Sequence, residues 1–361
     1  MARVAILGLG GVAERIHLPA CAALPDVQLV GACEPDDERR ELMRRRFGLP
    51  AVYADAETLL KKGSPEIAII GTPPDSHKEL CLLALEHGAH VLCEKPFVNT
   101  IEEADAVISA ADRKGLRVAV NNQYRYMEIY RSTRERLVKG EFGRLFFVQM
   151  WQQMFHPPTQ ERGWRARLKQ STLYEFGTHA LDLICFFFDA LPASVSANTP
   201  RVRPEIDSDV LVQATLRFPE ERLATLALNR VSHAPNRYLE MRLDCERASV
   251  RISLGGIARA ALDWSYLIRR PIFRLTIVKG GEARAETGGR SRVVARDATR
   301  AYASATAAHL RKFIGEIQSG KGSNDAARHA REVLRTVFAC YESARTGQTQ
   351  WLAPPHPQVF R

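Results

Sequence analysis

The fold is decided near the start of the chain, by the run Arg3-Val4-Ala5-Ile6-Leu7-Gly8-Leu9-Gly10-Gly11-Val12-Ala13. The apolar residues up to Leu7 predict a short buried strand that ends at Gly8. Residues 8–13 fit the pattern G-x-G-x-x-G/A, in which the glycines permit a tight turn and the close approach of a pyrophosphate. The helix that follows would offer free N–H groups to phosphates. This stretch predicts a dinucleotide-binding βαβ unit, although a simple strand-to-helix turn has the same glycines.

An acidic residue follows where such a unit needs one. Residues 27–33 predict a second strand, and Glu34 at its end is placed to accept hydrogen bonds from ribose hydroxyls. Two aspartates come directly after it, so a ribose 2′-phosphate would meet like charge. We therefore expect NAD rather than NADP. Arg39 and Arg40 keep NADP open as an alternative, because an arginine near this position can pair with that phosphate, but a solvated helix face also explains them.

Length and composition restrict the class of protein. A chain of 361 residues suits two domains, each able to bury a core. We expect no signal peptide and no membrane-spanning segment. The seven cysteines are scattered, odd in number and free of any C-x-x-C pair. That pattern predicts reduced thiols in the cytoplasm and no metal site.

The net charge of +10 comes mostly from arginines spread along predicted helices. Their densest stretch, residues 259–300, has no interleaved stacking aromatics and no helix-turn-helix, which argues against a nucleic-acid partner. Solvated charge is the ordinary explanation of this stretch. An anionic substrate or a lipid surface remains an alternative, and Arg269 and Arg270 bordering the pocket would favour a phosphorylated or nucleotide-linked sugar.

Strands and helices alternate as far as residue 120, which predicts parallel strands joined by helical crossovers. The loops at the carboxyl ends of such strands lie along one edge of the sheet and can converge on a ligand. These loops are residues 8–13, 71–77, 94–96 and 121–125. Beyond residue 145 the pattern changes, because residues 210–218, 223–230 and 238–245 alternate as antiparallel strands with one covered face do. Helices return at about 301–318 and 325–345.

A lysine stands at the end of the predicted strand 90–93. Lys95 lies between Glu94 and Pro96, and the proline favours an extended backbone before it. A lysine in this place can hydrogen-bond a substrate hydroxyl and stabilise the charge that develops on oxygen as a proton leaves. An ordinary surface lysine is the alternative.

Glu175 and His179 form a second candidate group. Their i, i+4 spacing places them on one face if the segment is helical, so the carboxylate could orient the imidazole and raise its basicity. His179 would then accept a hydroxyl proton near neutral pH. A structural histidine is the alternative reading, and no third ligand at suitable spacing supports zinc.

These motifs, in this order and spacing, resemble the Gfo/Idh/MocA oxidoreductases, which include glucose-fructose oxidoreductase and inositol dehydrogenases. The motifs are Gly8-Leu9-Gly10-Gly11-Val12-Ala13, Thr72-Pro73-Pro74-Asp75-Ser76-His77, Glu94-Lys95-Pro96 and Glu175-Phe176-Gly177-Thr178-His179-Ala180-Leu181-Asp182. The resemblance implies an α/β protein: an NAD-binding Rossmann domain at 1–122, then a substrate-binding α/β domain at 123–361. The second domain would hold a large, mostly antiparallel open sheet, often the interface of a homodimer or homotetramer.

The resemblance also implies roles for individual residues. Lys95 and His179 would be catalytic, with Glu175 where many members have aspartate. The cofactor would contact Gly8, Gly10, Gly11, Val12, Ala13, Glu34, Thr72, Pro73, His77, Glu94, Lys95, Asn121 and Gln123. Arg125, Trp164 and Arg165 are candidates for the substrate pocket, while Asp182 would brace its helix or contact substrate.

The expected activity is hydride transfer between a hydroxyl-bearing carbon of a sugar, polyol or sugar derivative and nicotinamide. A redox-neutral glycoside hydrolase or epimerase that returns the hydride is one alternative. A nicotinamide-binding protein without turnover is another, and the presence of both Lys95 and His179 argues against it.

Overall fold

Two β-sheets, one parallel and one mixed, organise the chain. The computed structural model describes residues 1–157, 161, 163–233, 237–257, 280–298, 300–320 and 322–352. Strands β1 (Ala2–Leu7), β2 (Val27–Cys33), β3 (Val52–Tyr53), β4 (Ile67–Ile70), β5 (His90–Cys93) and β6 (Val118–Val120) form the first sheet. Their order is β3-β2-β1-β4-β5-β6, and every pair is parallel. This confirms the Rossmann architecture expected from the alternating pattern.

Helices α1 (Leu18–Ala22), α2 (Asp37–Phe47), α3 (Ala56–Gly63), α4 (His77–Glu86) and α5 (Ile101–Lys114) connect these strands. Local signals explain their bounds. The side chain of Asp36 caps α2 by accepting from the Arg39 N–H at 2.7 Å, and Thr100 caps α5 in the same way. Between the glycine turn and α1, residues 13–17 form a π-helical stretch.

Within the residues that the structure describes, the second sheet has nine strands. They are β7 (Leu145–Gln153), β8 (Ser194–Asn198), β9 (Leu211–Phe218), β10 (Arg222–Asn229), β11 (Arg237–Cys245), β12 (Ser249–Ile257), β13 (Gly280–Thr287), β14 (Arg290–Arg296) and β15 (Gln350–Trp351). The order is β14-β13-β12-β11-β7-β10-β9-β8-β15, in which only β7 and β10 pair in parallel. The expected mostly antiparallel sheet is therefore confirmed.

Four more helices complete the described fold: α6 (Glu128–Val138), α7 (Thr178–Phe188), α8 (Ala301–Gln318) and α9 (Asp325–Thr346). Helix α7 is buried along almost its whole length and packs on the second sheet. Helix α8 returns to the first sheet, where Ala307, Leu310 and Phe313 share an apolar cluster with Val4 and Ile69. The two sheets are therefore joined by packing as well as by the chain.

Among the described helices, none combines the length and apolar composition that crossing a membrane requires. All seven cysteines are buried free thiols, and none forms a disulfide.

Two arginines of the basic stretch are paired with carboxylates: Arg292 with Glu141, and Arg296 with Glu282. Arg269 and Arg270 lie outside the described residues, so their expected place near the pocket is not addressed by the fold.

Candidate active site

A cavity of about 620 Å³ lies at the carboxyl edge of the first sheet, facing α7 and the start of α8. The sequence-predicted candidates on its wall are Val12, Glu94, Lys95, Gln123, Arg165, Glu175 and His179. Residues that the sequence did not single out also line it: Arg15, Ile16, Tyr124, His156, Glu161, Phe176, Arg300, Tyr302 and Ala303. Three of the four loops expected to converge on one ligand, residues 8–13, 94–96 and 121–125, therefore meet at this cavity, whereas loop 71–77 contributes no residue to its wall.

The glycine turn leaves room beside the cavity. Gly8 has φ of +90°, and a Cβ there would lie 2.7 Å from Thr72 Cγ2, so glycine is required by the fold itself. A Cβ on Gly10 would meet no protein atom within 4 Å. The space beside Gly10 fits the close approach of a dinucleotide pyrophosphate, which is the role expected of this position.

Glu34 stands at the end of β2 and is held against the turn. Its Oε2 accepts from the Leu9 N–H at 3.0 Å. Arg39 donates to the Leu9 carbonyl at 2.8 Å and pairs with Glu14 at 2.5 Å, while Arg40 donates to the Glu34 carbonyl at 2.7 Å. Both arginines thus have partners within the protein. The Glu34 carboxylate therefore remains the group suited to accept hydrogen bonds from ribose hydroxyls.

The two glycines give a paired prediction. Gly10→Ala should leave the free energy of unfolding within about 1 kcal/mol of wild type, because Gly10 lacks a positive φ and has free space beside it. Its Kd for NAD should rise by about tenfold or more, because the methyl group takes the place of the pyrophosphate. Gly8→Ala should instead lower the free energy of unfolding by about 1–3 kcal/mol.

Chemical denaturation and quenching of protein fluorescence by NADH measure the two quantities separately. Tight NAD binding by a folded Gly10→Ala protein would contradict the assignment of this space to the cofactor.

Lys95 follows β5 and reaches across to the segment that precedes α7. Its Nζ donates to the main-chain carbonyl of Glu175 at 3.1 Å. Burial lowers the pKa of the Lys95 ammonium below its ordinary value, while the carboxylates of Glu175 and Glu94 oppose the shift. The ammonium therefore stands at the cavity wall as a partly desolvated hydrogen-bond donor.

A buried polar network supports the residue before it. The Oε1 atom of Glu94 lies 2.9 Å from His17 Nε2 and accepts from Asn121 Nδ2 at 2.7 Å. Asn121 Oδ1 in turn lies 3.2 Å from His309 Nδ1 on α8. Burial alone would raise the pKa of Glu94, but its hydrogen bonds and nearby positive charges lower it to about 2. Asn121 is fully buried inside this network, so its placement supports the loop rather than direct cofactor contact.

His77 is also turned inward. Its Nδ1 lies 3.0 Å from the carbonyl oxygens of Pro96 and Phe97, and its Nε2 lies 2.9 Å from that of Thr72. The imidazole thereby connects the loop after β4 with the loop that carries Lys95. This placement argues against the expected direct contact between His77 and the cofactor and makes it a link between two site loops.

His179 lies in the first turn of α7 with its ring stacked on Tyr124, at a centroid distance of 3.9 Å and an interplanar angle of 3°. Burial, and then the Lys95 charge, lower the pKa of His179 to about 3. Its Nδ1 is buried without a hydrogen-bond partner. The imidazole is therefore neutral near pH 7, and the same burial makes it a weaker base than the sequence predicted.

The expected pair between Glu175 and His179 is not formed. Residues 172–177 are a π-helix, in which the fifth residue rather than the fourth aligns with the first. Arg165 Nε donates to Glu175 Oε1 at 2.5 Å, and Glu175 Oε2 is buried without a partner. Glu175 thus lines the cavity, but His179 is oriented by the Tyr124 ring.

Asp182 and Arg125 lie behind the cavity rather than on its wall. Arg125 donates from Nε to Asp182 Oδ2 at 2.6 Å and from its terminal nitrogen to Oδ1 at 2.7 Å. Asn122 and His329 contact the same carboxylate, which is 1% exposed. This placement argues against the expected substrate contacts of Arg125 and Asp182, because both are used in an internal ion pair.

Arg165 reaches the cavity and lies over the ring of Trp164, with 4.4 Å between Cζ and the ring centroid. Trp164 is absent from the described cavity wall, so the tryptophan supports Arg165 instead of lining the pocket.

Two residues of the cavity wall, Glu161 and Tyr124, were not identified from the sequence. Tyr124 lies in the predicted loop 121–125, where an aromatic side chain beside the site was a usable signal.

Comparisons with known proteins agree with this geometry. Residues 2–122 match the model of the oxidoreductase family GFO_IDH_MocA, with its NAD-binding Rossmann fold, and residues 130–251 match a GFO/IDH/MocA C-terminal domain. D-apiose dehydrogenase of Paraburkholderia graminis is 26% identical over 96% of this chain and 88% of its own length. The scyllo-inositol 2-dehydrogenase (NADP(+)) of Bacillus subtilis is 24% identical over 96% and 95%.

A solved Agrobacterium radiobacter oxidoreductase, in complex with NAD+, L-tartaric acid and magnesium, has the same fold. Its TM-score is 0.81 at 17% identity, and the match covers 97% of this chain and 98% of that one. Sheet topology, the glycine turn with Glu34, and both family models lead to one conclusion: the chain belongs to the Gfo/Idh/MocA oxidoreductases and carries an NAD-binding Rossmann domain.

Proposed function

We propose that this oxidoreductase transfers hydride between a hydroxyl-bearing carbon of a sugar, polyol or sugar derivative and a nicotinamide cofactor, with NAD preferred. The carrying observation is the presence of Lys95 and neutral His179 on one cavity wall beside the glycine turn. The relatives named as apiose and inositol dehydrogenases support this class of substrate.

The protein's part in the reaction follows from those two side chains. Lys95 donates a hydrogen bond to the substrate oxygen and stabilises the negative charge that develops there. His179 accepts the hydroxyl proton, since its imidazole is neutral. The bound nicotinamide, for its part, supplies the hydride acceptor. In the reverse direction, the histidine returns the proton to the carbonyl oxygen.

We further propose that residues 1–122 hold the cofactor and that residues 123–361 supply most of the substrate site. The glycine turn and Glu34 support the first assignment, and Glu161, Glu175 and His179 on the cavity wall support the second. A cytoplasmic homodimer or homotetramer is the proposed form of the protein, for which the buried free cysteines and the large open sheet are the support.

The test is the near-ultraviolet absorbance of reduced nicotinamide when purified protein meets NAD or NADP with a panel of polyols, aldoses and sugar acids. We expect net reduction by wild type and a kcat about 10²–10⁴ times lower for His179→Gln, which keeps the side chain polar but removes the base. If NAD is recovered from the denatured wild-type protein but no substrate gives net reduction, the redox-neutral alternative replaces this proposal.

A further inference from the structure

One continuous helix carries two of the residues that line the active-site cavity. The π-helical residues 172–177 run directly into α7, because Gly177 and Thr178 at the junction both have helical backbone angles. Glu175 and His179 belong to this helix, and both lie on the cavity wall. Whatever holds the first turn of the helix therefore also holds the main chain of both residues.

The beginning of this helix is held by a carboxylate from a distant part of the chain. The first N–H groups of a helix have no partner inside it and need acceptors from elsewhere. Asp209, two residues before β9, accepts through Oδ1 from the N–H groups of Ser171 and Thr172 at 2.5 and 2.9 Å. Its Oδ2 accepts from the Leu173 N–H at 3.0 Å. One side chain thus satisfies three consecutive donors, where a local N-cap side chain satisfies one.

Tyr341 of α9 completes this arrangement. Its hydroxyl accepts from the Tyr174 N–H at 3.1 Å and donates to Asp209 Oδ2 at 2.9 Å. The Glu175 N–H, the next along the chain, makes the first bond inside the helix, to the Ser171 carbonyl at 2.8 Å. All four N–H groups before it therefore have acceptors on Asp209 or Tyr341.

The charge of Asp209 suits this place. Burial raises the pKa of the Asp209 carboxyl, and the hydrogen bonds from the main-chain N–H groups oppose the rise because they favour the ionised form. The positive end of the helix dipole favours the ionised form as well. Neither Asp209 nor Tyr341 lines the active-site cavity, since both border a separate cavity of about 540 Å³. Their influence on the active site must therefore pass through the helix.

The first turns of the helix are also linked to Lys95. The main-chain carbonyl of Glu175 accepts from Lys95 Nζ at 3.1 Å, and His179 follows one turn later. Burial, and then the Lys95 charge, lower the pKa of His179. Without its carboxylate the helix start has unsatisfied N–H groups, so it can unwind, move the acceptor of Lys95 and admit water towards His179.

We propose that Asp209, assisted by Tyr341, is a positioning residue of the active site: it fixes the start of the helix so that the Glu175 carbonyl holds Lys95 beside His179. The inference rests on the proposed dehydrogenase function and adds to it two residues that lie outside the cavity wall.

The test is Asp209→Asn, which keeps one oxygen acceptor but replaces the other with an amide group that cannot accept from an N–H. We expect kcat to fall by about tenfold or more, because the two groups that handle the substrate oxygen are displaced. KM for NAD should change by less than about twofold, because the glycine turn is untouched.

An NMR titration of His179 gives a second readout that needs no turnover. In Asp209→Asn the pKa of His179 should rise, because the Lys95 charge is no longer held beside it and water reaches the ring. Loss of the negative charge at position 209 would by itself lower this pKa. A rise therefore reports the displaced helix.

Asp112→Asn is the matched control. Asp112 is also a carboxylate that joins distant elements, since it accepts from Asn324 Nδ2 at 2.7 Å. It lies near the end of α5, at the amino edge of the first sheet and away from the cavity. This variant should change neither kcat nor the pKa of His179. Tyr341→Phe, which removes only a hydroxyl, should shift both quantities in the same directions as Asp209→Asn, but less.

A folded Asp209→Asn protein with wild-type kcat and an unmoved His179 pKa would overturn the positioning role. If that variant does not fold, the same result for Tyr341→Phe overturns it. If wild type reduces NAD or NADP with no compound of the panel, the dehydrogenase function fails instead. The pKa of His179 in the two variants then decides the positioning role alone: a rise upholds it, and no change refutes it.

Discussion

Replacing Lys95 with methionine is expected to lower kcat by about 10³-fold, which is the scale of losing one preorganised donor to a developing oxyanion. Methionine keeps much of the stem's volume but has no charge and no N–H. The expected loss falls on kcat more than on KM, because the hydrogen bond from Nζ strengthens as the substrate oxygen gains charge. Steady-state kinetics of wild type and Lys95→Met measures the change in kcat and KM, with the substrate identified from the panel of polyols, aldoses and sugar acids.

The same variant has an effect that a merely structural lysine would not produce. Burial lowers the pKa of His179 to about 3, and the Lys95 charge is the second cause. In Lys95→Met the pKa of His179 should rise, while staying below its ordinary value because the burial remains. An NMR titration of the imidazole follows this directly. Lys61→Met, at a site 61% exposed, is the matched control and should change neither kcat nor that pKa.

The outcome that would contradict this account is a Lys95→Met protein that binds NAD, keeps wild-type kcat and shows an unmoved His179 pKa. In that case the role of Lys95 would be limited to its hydrogen bond to the Glu175 carbonyl.

Replacing Asp182 with alanine is expected to lower the free energy of unfolding by about 3–5 kcal/mol, because the Arg125 charge is then left without its buried partner. The Asp182 side chain is 1% exposed and holds two hydrogen bonds from Arg125. Chemical denaturation measures the change. Glu57→Ala, which removes the exposed pair with Lys61, should leave the free energy of unfolding close to that of wild type.

A double variant separates the effect of leaving Arg125 without a charged partner from the effect of removing side-chain volume at position 182. Arg125→Met with Asp182→Leu removes both charges and fills the space, so it should recover much of the stability lost in Asp182→Ala. The KM of the folded fraction should stay near wild type, because neither residue lines the cavity. A large rise in KM with little loss of stability would instead favour the substrate contact expected from the sequence.

The sequence predicted the parts of the site that depend on local pattern. Strand ends can be read from apolar runs, and parallel topology then brings Gly8, Glu34 and Lys95 to one edge. His179 was predicted from the motif formed by residues 175–182. These features depend on residues close together in the chain, which is why they needed no coordinates.

Side-chain partnerships across the fold were harder to predict. The pair of Glu175 with His179 was expected from spacing along a regular helix, but a π-helix and Arg165 changed it. Glu161 and Arg230 are 69 residues apart, and no periodicity links them. The two-residue strand β3 was missed because so short a run carries no recognisable alternation.

The return of α8 to the first sheet bears on how this protein is made. Asn121, just past the last strand of that sheet, is joined to Thr306 of α8 although 185 residues separate them. The ribosome releases the whole first sheet long before it releases the helix that covers Val4 and Ile69. During synthesis, part of the apolar surface of the first sheet must therefore stay uncovered until the strands β7–β14 of the second sheet and then α8 have been made.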